Sequence, residues 1–181
     1  MSAFPKGARG ARVDFEAELF SLEAEAAVLG AALTDPPAVL GQIGVKLRPQ
    51  SFFEVKHAWI WEAIQAIAAE RGANAVSLIS VHERLRAKGV EVAPYELSQL
   101  ASEGCLYVPQ ASQHAEIVLR LAVRRALVQQ AAETIDLARS GEIETSEAVE
   151  RALRGMMNIA NGLARLETRS AKDVFKTVAQ V

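Results

Sequence analysis

The sequence predicts an all-α protein, made of a globular helical bundle, a long antiparallel helical hairpin and a C-terminal linker helix. The main evidence is the stretch 112–140, which has no Gly or Pro between Gln113 and Arg139 and whose apolar residues recur at helical spacing. Capping residues, Pro and Gly divide the rest of the chain into further apolar segments of helical length. The alternation at Val90-Glu91-Val92 is too short to indicate a strand.

The bulk properties of the chain exclude several classes of protein. Its 181 residues suit one domain with an extension or two small domains, and half of them are apolar, which is enough to bury a core. A net charge of −2 gives no overall attraction to nucleic acid or an anionic membrane, and no apolar run is long enough to span a bilayer. The single cysteine, Cys105, excludes an intramolecular disulfide and fits a reducing compartment.

Residues 1–20 are predicted to form a disordered basic arm. The first twelve residues are rich in Gly, Ala and basic side chains, and they lack the apolar stretch of a secretory signal. Contact of this arm with nucleic-acid phosphates is an alternative, but so short a basic cluster is more typical of a solvated terminus.

Residues 21–111 are predicted to form the globular helical subdomain. Ser21 is a good N-cap for the first helix. Gly30 lies inside this helix at a cost in stability, which indicates the close approach of another helix. Asp35-Pro36 ends the first helix and starts the second, because Pro is tolerated in a first turn.

A third helix of this subdomain carries His57, Ile60 and Trp61 at helical spacing. We interpret His57 as a packed structural histidine, because no second metal ligand or catalytic partner lies at a suitable offset on its face. Trp59 and Trp61 point in different directions, so we expect one in the core and the other at the surface.

Two shorter helices complete the predicted subdomain. The S-x-x-E pattern from Ser80 to Glu83 is typical of a capping box and predicts that the fourth helix starts there and closes at Lys88-Gly89. Pro94 opens the fifth helix, which ends near Gly104.

Residues 112–166 are predicted to form the helical hairpin. Ser140-Gly141 ends the long helix, and Thr145 or Ser146 caps a second helix after a short connection, so the two helices are antiparallel neighbours. The long helix has two apolar stripes, and the second helix needs only one of them. The other stripe meets ordinary core or another chain. The stripes are Ile117, Leu121, Val128, Ala132 and Ile135 on one side, and Leu119, Val123, Ala126 and Leu137 on the other.

Residues 167–181 are interpreted as a short linker, 167–169, followed by a linker helix. An S-x-x-D cap at Ser170 starts this helix, and Val174, Val178 and Val181 share one face of it. Because the sequence stops in mid-helix without a C-cap, we expect a chain that is truncated at Val181.

The sequence carries no motif for catalysis or cofactor binding. It has no phosphate-binding loop of the form G-x-x-x-x-G-K-[ST], no G-x-G-x-x-G, no G-x-S-x-G and no Cys or His cluster with metal-ligand spacing. We therefore expect no catalytic, cofactor-binding or metal-binding residues here, and no enzyme activity of these residues alone.

Residues 21–36 closely resemble the opening of DnaB-type replicative helicases, whose N-terminal domain starts with S-x-E-A-E-x-A-V-L-G, an apolar run and D-P. They read S-L-E-A-E-A-A-V-L-G-A-A-L-T-D-P. The likeness continues to about residue 162, and the tail from Ser170 resembles the family's linker helix. Later segments match in order: Ser51-Phe52-Phe53 (D-F-Y), His57 with Ile60 (H-x-x-I), 80–85 (T-L-x-E-x-L), 95–100 (Y-L-x-x-L), Val108-Pro109 (V-P) and 117–120 (I-V-R). Ser77, Tyr107 and His114 depart from the family's usual Asp, Asn and Tyr, and the ATPase domain is absent.

The resemblance implies the N-terminal domain of a hexameric helicase. In that family the hairpins pair, three pairs form a collar, and the collar docks the C-terminal domain of primase and influences the action of the helicase loader. The linker helix docks on a neighbouring motor domain, which implies this role for Val174, Val178 and Val181. The parent unwinds DNA in the cytoplasm with ATP and Mg²⁺, and its motor domain holds the single strand.

We predict that apolar hairpin positions carry self-association, without separating core from interface among them. A free-standing adaptor that recruits helicase or primase is an alternative, as is direct DNA binding by the basic arm with Arg120, Arg124 and Arg125. The predicted self-association residues are Leu119, Val123, Leu127, Met156, Met157 and Leu163.

Overall fold

The computed structural model describes residues 19–141 and 143–178, with side chains described as far as Gly162. All regular structure in this part of the chain is helical, which confirms the predicted fold class. The α-helices are α1 (Leu22–Thr34), α2 (Pro36–Ile43), α3 (Val55–Arg71), α4 (Leu78–Ala87), α5 (Pro94–Gly104), α6 (Ala111–Arg139) and α7 (Thr145–Val178). Short 3-10 helices occupy Pro49–Ser51, Ala73–Ala75 and Cys105–Gln110.

Helix α1 lies at the centre of the globular subdomain and packs against α2, α3, α5 and α6. Its start and end follow the predicted caps: Ser21 Oγ accepts from the Ala24 amide at 3.2 Å, and Asp35 closes α1 and caps α2. The close approach predicted at Gly30 is confirmed, because a Cβ built there lies 2.0 Å from the carbonyl oxygen of Leu100 and 2.6 Å from Gly104 Cα on α5.

Helix α3 supplies the largest buried side chain of the core. Trp61 is fully buried and donates its indole N–H to the Leu47 carbonyl at 3.2 Å, whereas Trp59 on another side of the helix is exposed. One tryptophan in the core and one at the surface is the predicted arrangement. The buried indole is stabilised both by its apolar area and by a satisfied donor.

The N-cap of α4 lies three residues before the predicted cap, Ser80. Ser77 is its N-cap, and Ser77 and Ser80 form a reciprocal capping box in which Ser80 stands where Glu83 was expected. The Ser80 hydroxyl also lies 2.9 Å from the Ala75 carbonyl oxygen, which ties the helix start to the preceding turn. The predicted end holds, because Gly89 follows the helix at a positive φ of 74° that favours glycine.

Helix α6 belongs to two parts of the molecule. Its first half packs on the globular core through its buried residues Ala111, Ala115, Val118 and Leu121. None of residues 126–139 is buried, and this second half pairs with α7 to form the predicted hairpin.

Helix α7 runs without interruption from Thr145 to Val178. The predicted linker at 167–169 and the separate helix from Ser170 are therefore wrong for the backbone, because no Gly or Pro stands there to break the helix. The predicted roles of Leu163, Val174 and Val178 fall on side chains outside the described ones, and Val181 and the arm 1–18 fall outside the described residues.

No helix among the described residues has the length and apolar character needed to cross a membrane.

Candidate functional site: the hairpin surface and its base

The hairpin exposes large apolar side chains on both of its helices. We call this set the apolar face. Leu153 and Met157 on α7 are 60% and 62% exposed, and Leu127 on α6 is 42% exposed. Covering such side chains with a partner removes apolar surface from water and lowers the free energy. The apolar face comprises Leu127, Val128, Ile135, Val149, Leu153, Met156 and Met157.

Helical geometry places these residues together on one side of the hairpin. Val128 and Ile135 are two turns apart on α6, and Val149, Leu153 and Met156 are spaced by four and three residues on α7. A groove between the two helices is lined mainly by small side chains, Thr134, Ala138, Ala148 and Ala152 among them, together with the larger Leu137, Ile143 and Val149. Val149 belongs both to this groove and to the apolar face.

The other side of the hairpin is charged, and we call it the polar face. It comprises Glu133 and Asp136 on α6 with Arg151, Arg154 and Asn158 on α7. Arg151 pairs with Glu147 at 2.5 Å and Arg154 with Glu150 at 2.6 Å, each within one turn of α7. These pairs are exposed and contribute well under about 1 kcal/mol each. The polar face therefore suits contact with water, and the two sides of the hairpin differ in character.

The structure distributes the predicted self-association residues between the core and the surface. Leu127, Met156 and Met157 are exposed on the hairpin. Leu119 is partly buried against the globular core, and Val123 is half-buried one turn further along α6. Their role in self-association stays a prediction, although Leu119 has little free surface for it.

Four residues of the apolar face are missing from that predicted set. Val128 and Ile135 belong to a predicted stripe of the long helix, and Val149 and Leu153 are apolar residues four positions apart in the second helix. The periodicity that placed them there was a usable signal. It does not tell which apolar residues the partner helix within the hairpin covers. Here the groove between the helices is lined by alanines together with Leu137, Ile143 and Val149, and Gly155 lies against the Gln130 side chain.

Arg125 marks the base of the hairpin, where α6 leaves the globular subdomain. Its guanidinium donates to the Leu19 carbonyl at 2.8 Å and to the Ser51 carbonyl at 2.7 Å, and it lies 5.6 Å from the centre of the Phe53 ring. Burial lowers the pKa of Arg125, and the nearby Glu25 carboxylate partly opposes this effect. Two of the guanidinium's N–H donors are therefore used inside the protein. The DNA-binding alternative for Arg125 stays a prediction.

A buried carboxylate lies next to this base. Glu25 on α1 is 1% exposed and accepts from the amides of Phe53 at 2.6 Å and Glu54 at 3.2 Å. Its Oε2 also lies 2.9 Å from His57 Nδ1, so His57 has the structural, packed environment that we predicted. The sequence did not reveal its partner, because Glu25 precedes it by 32 residues on another helix. Among the described residues, no group of three or more His, Cys, Asp or Glu side chains is arranged to hold a metal ion.

The substitution Glu25→Gln is expected to lower the free energy of unfolding by about 1–3 kcal/mol. Glutamine has one acceptor oxygen, so its amide group faces a backbone N–H that loses its partner in a buried site. Urea denaturation measures the loss. Glu23→Gln is the matched control, since Glu23 is exposed two residues earlier on the same helix and its replacement leaves this network intact. Equal midpoints for the two variants would contradict the role of Glu25.

Comparisons with known proteins give a consistent result. The model of the family described as DnaB-like helicase N terminal domain matches residues 17–120, more than half of the chain. A crystal structure of the N-terminal domain of DnaB helicase from Mycobacterium tuberculosis has the same fold, with a TM-score of 0.67 and 24% sequence identity over 77% of this chain and 97% of that one. No curated protein sequence matches the chain significantly. The extent of the family match shows that the chain belongs to the DnaB-like helicase N-terminal domain family.

Proposed function

We propose that this chain pairs with a second copy of itself through the apolar face of its hairpin. The observation that carries the proposal is the set of exposed apolar side chains that continues across α6 and α7 while the opposite side of the hairpin is charged. A continuous apolar surface of this kind on a soluble domain indicates a protein–protein interface. A two-fold dimer uses the same patch on both subunits, so it covers both apolar faces at once.

The membership in the family extends this proposal to the replication machinery. Pairs of hairpins would assemble into the collar of a hexameric helicase, a trimer of dimers. This collar would receive the C-terminal domain of primase and respond to the helicase loader in the cytoplasm. ATP, Mg²⁺ and single-stranded DNA would be bound by a motor domain of the parent protein, on which the linker positions Val174, Val178 and Val181 would dock.

Sedimentation equilibrium of the chain over a range of concentrations tests the pairing. We expect a species of twice the chain mass of 19.5 kDa, which dissociates on dilution. A mass that remains at 19.5 kDa at all concentrations would contradict the proposed pairing. Calorimetric titration with the C-terminal domain of primase tests the second part, and we expect saturable binding to the dimer. If no heat of binding is detected at several temperatures, the primase role is contradicted and the proposed pairing is unaffected.

A further inference from the structure

At the base of the hairpin, Arg125 makes directional hydrogen bonds and a ring contact in addition to apolar packing. Helix α6 is continuous through this point, with Leu121 as its last buried residue and Arg125 one turn further along. Beyond Arg125, no residue of α6 is buried. From Arg125 to Arg139 the helix extends about 21 Å, so a tilt of about 10° at Arg125 moves the hairpin tip by about 4 Å.

Arg125 joins two separate segments of the chain at this position. Its two hydrogen bonds end on the carbonyls of Leu19 and Ser51, which are 106 and 74 residues away in sequence. Phe20 stacks on Phe53 with ring centres 4.4 Å apart and planes 9° apart, and Arg125 lies against that same Phe53 ring. The five residues therefore close a ring of contacts around the guanidinium.

Glu25 holds the other side of the turn 51–54, to which Ser51 and Phe53 belong. Its carboxylate accepts from the Phe53 and Glu54 amides, while Arg125 binds the preceding Ser51 carbonyl. The turn 51–54 is thus held between α1 and α6. The position of this turn is fixed from both sides. Leu19 and Phe20, at the N-terminal end of the described chain, join the ring through the Leu19–Arg125 hydrogen bond and the Phe20–Phe53 stacking.

We propose that Leu19, Phe20, Ser51, Phe53 and Arg125 form a latch. This latch couples the position of the segment Leu19-Phe20 to the orientation of the hairpin. If Leu19 and Phe20 leave, the partly buried guanidinium loses one carbonyl acceptor, and the Phe53 ring beside it loses its stacking partner. A partly buried charge that loses one of its two acceptors is less stable where it is, which favours a second arrangement in which Arg125 turns to water and α6 tilts. The segment and the hairpin then change together, as two states of one element.

Distances between spin labels test this coupling on the full chain. Labels at the exposed positions Glu83 on α4 and Ser146 on α7 are placed by cysteine substitution after Cys105→Ser removes the native thiol. An excess of unlabelled chain ensures that each measured distance lies within one subunit. The wild type is expected to give one narrow distance distribution between α4 and the hairpin.

Phe20→Ala and Arg125→Ala are each expected to broaden that distribution, and the double variant is expected to broaden it no further. Arg124→Ala is the matched control, because Arg124 is an exposed neighbour and its loss removes the same charge without touching the latch. Circular dichroism shows whether each variant is folded.

Three results would overturn the latch. One is an unchanged distribution for a folded Arg125→Ala chain. Another is a narrow distribution for Phe20→Ala, which decides the matter even where Arg125→Ala does not fold. The third is equal broadening by Arg124→Ala. The measurement does not depend on pairing of the chain, so a monomeric chain would refute the proposed function and leave the latch intact.

Discussion

Replacing Leu153 by aspartate is expected to leave the chain folded and to convert it from dimer to monomer. The Leu153 side chain is 60% exposed within one subunit, so a carboxylate there remains in contact with water and the stability of the folded subunit is unchanged. In a two-fold dimer the same position is used by both subunits, and two carboxylates enter an apolar interface without partners. We expect the dissociation constant to rise by at least about 100-fold, or about 3 kcal/mol.

Met156→Asp is expected to act in the same way, because Met156 lies three residues further along the same face of α7. Asn158→Asp is the matched control. It adds the same negative charge to the same helix but on the polar face, where the residue lines the charged groove. Sedimentation equilibrium of the three variants distinguishes the two faces. Dimers of equal strength for Leu153→Asp and Asn158→Asp would show that pairing, if it occurs, uses another surface.

Features that depend on neighbours in sequence could be predicted without the structure. Ser21 and Asp35 cap helices through bonds to amides three residues away, so their side chains are sufficient evidence. The start of α4 was predicted wrongly at Ser80, because Ser77 is the N-cap and Ser80 holds the third helical position of the capping box.

Features that depend on distant partners could not be predicted. The acceptors of Arg125 are backbone carbonyls of Leu19 and Ser51, and a carbonyl leaves no mark in the sequence. Glu25 lies in a first helical turn, where a carboxylate is explained by the helix dipole, so nothing pointed to its burial against His57. The apolar face was visible as periodicity, but periodicity alone does not tell a covered position from an exposed one.

The replacement Gly30→Ala is expected to destabilise the fold strongly, although alanine is the better helix former. In an exposed helix, this change stabilises by up to about 1 kcal/mol. At Gly30 the added Cβ lies 2.0 Å from the Leu100 carbonyl oxygen and 2.6 Å from Gly104 Cα, and both are backbone atoms of α5 that cannot turn away. Helices α1 and α5 have to separate, so we expect a loss of about 3 kcal/mol or more.

Gly41→Ala gives this prediction a control of opposite sign. Gly41 is exposed on α2, and a Cβ at this position meets nothing within 4 Å, so the ordinary preference of alanine for the helix should appear. We expect its melting temperature to rise by a few degrees and that of Gly30→Ala to fall by about 6–12 °C, measured at one chain concentration because the proposed pairing would stabilise the folded chain. A rise for both variants would mean that α1 and α5 are not in contact through Gly30 and Gly104.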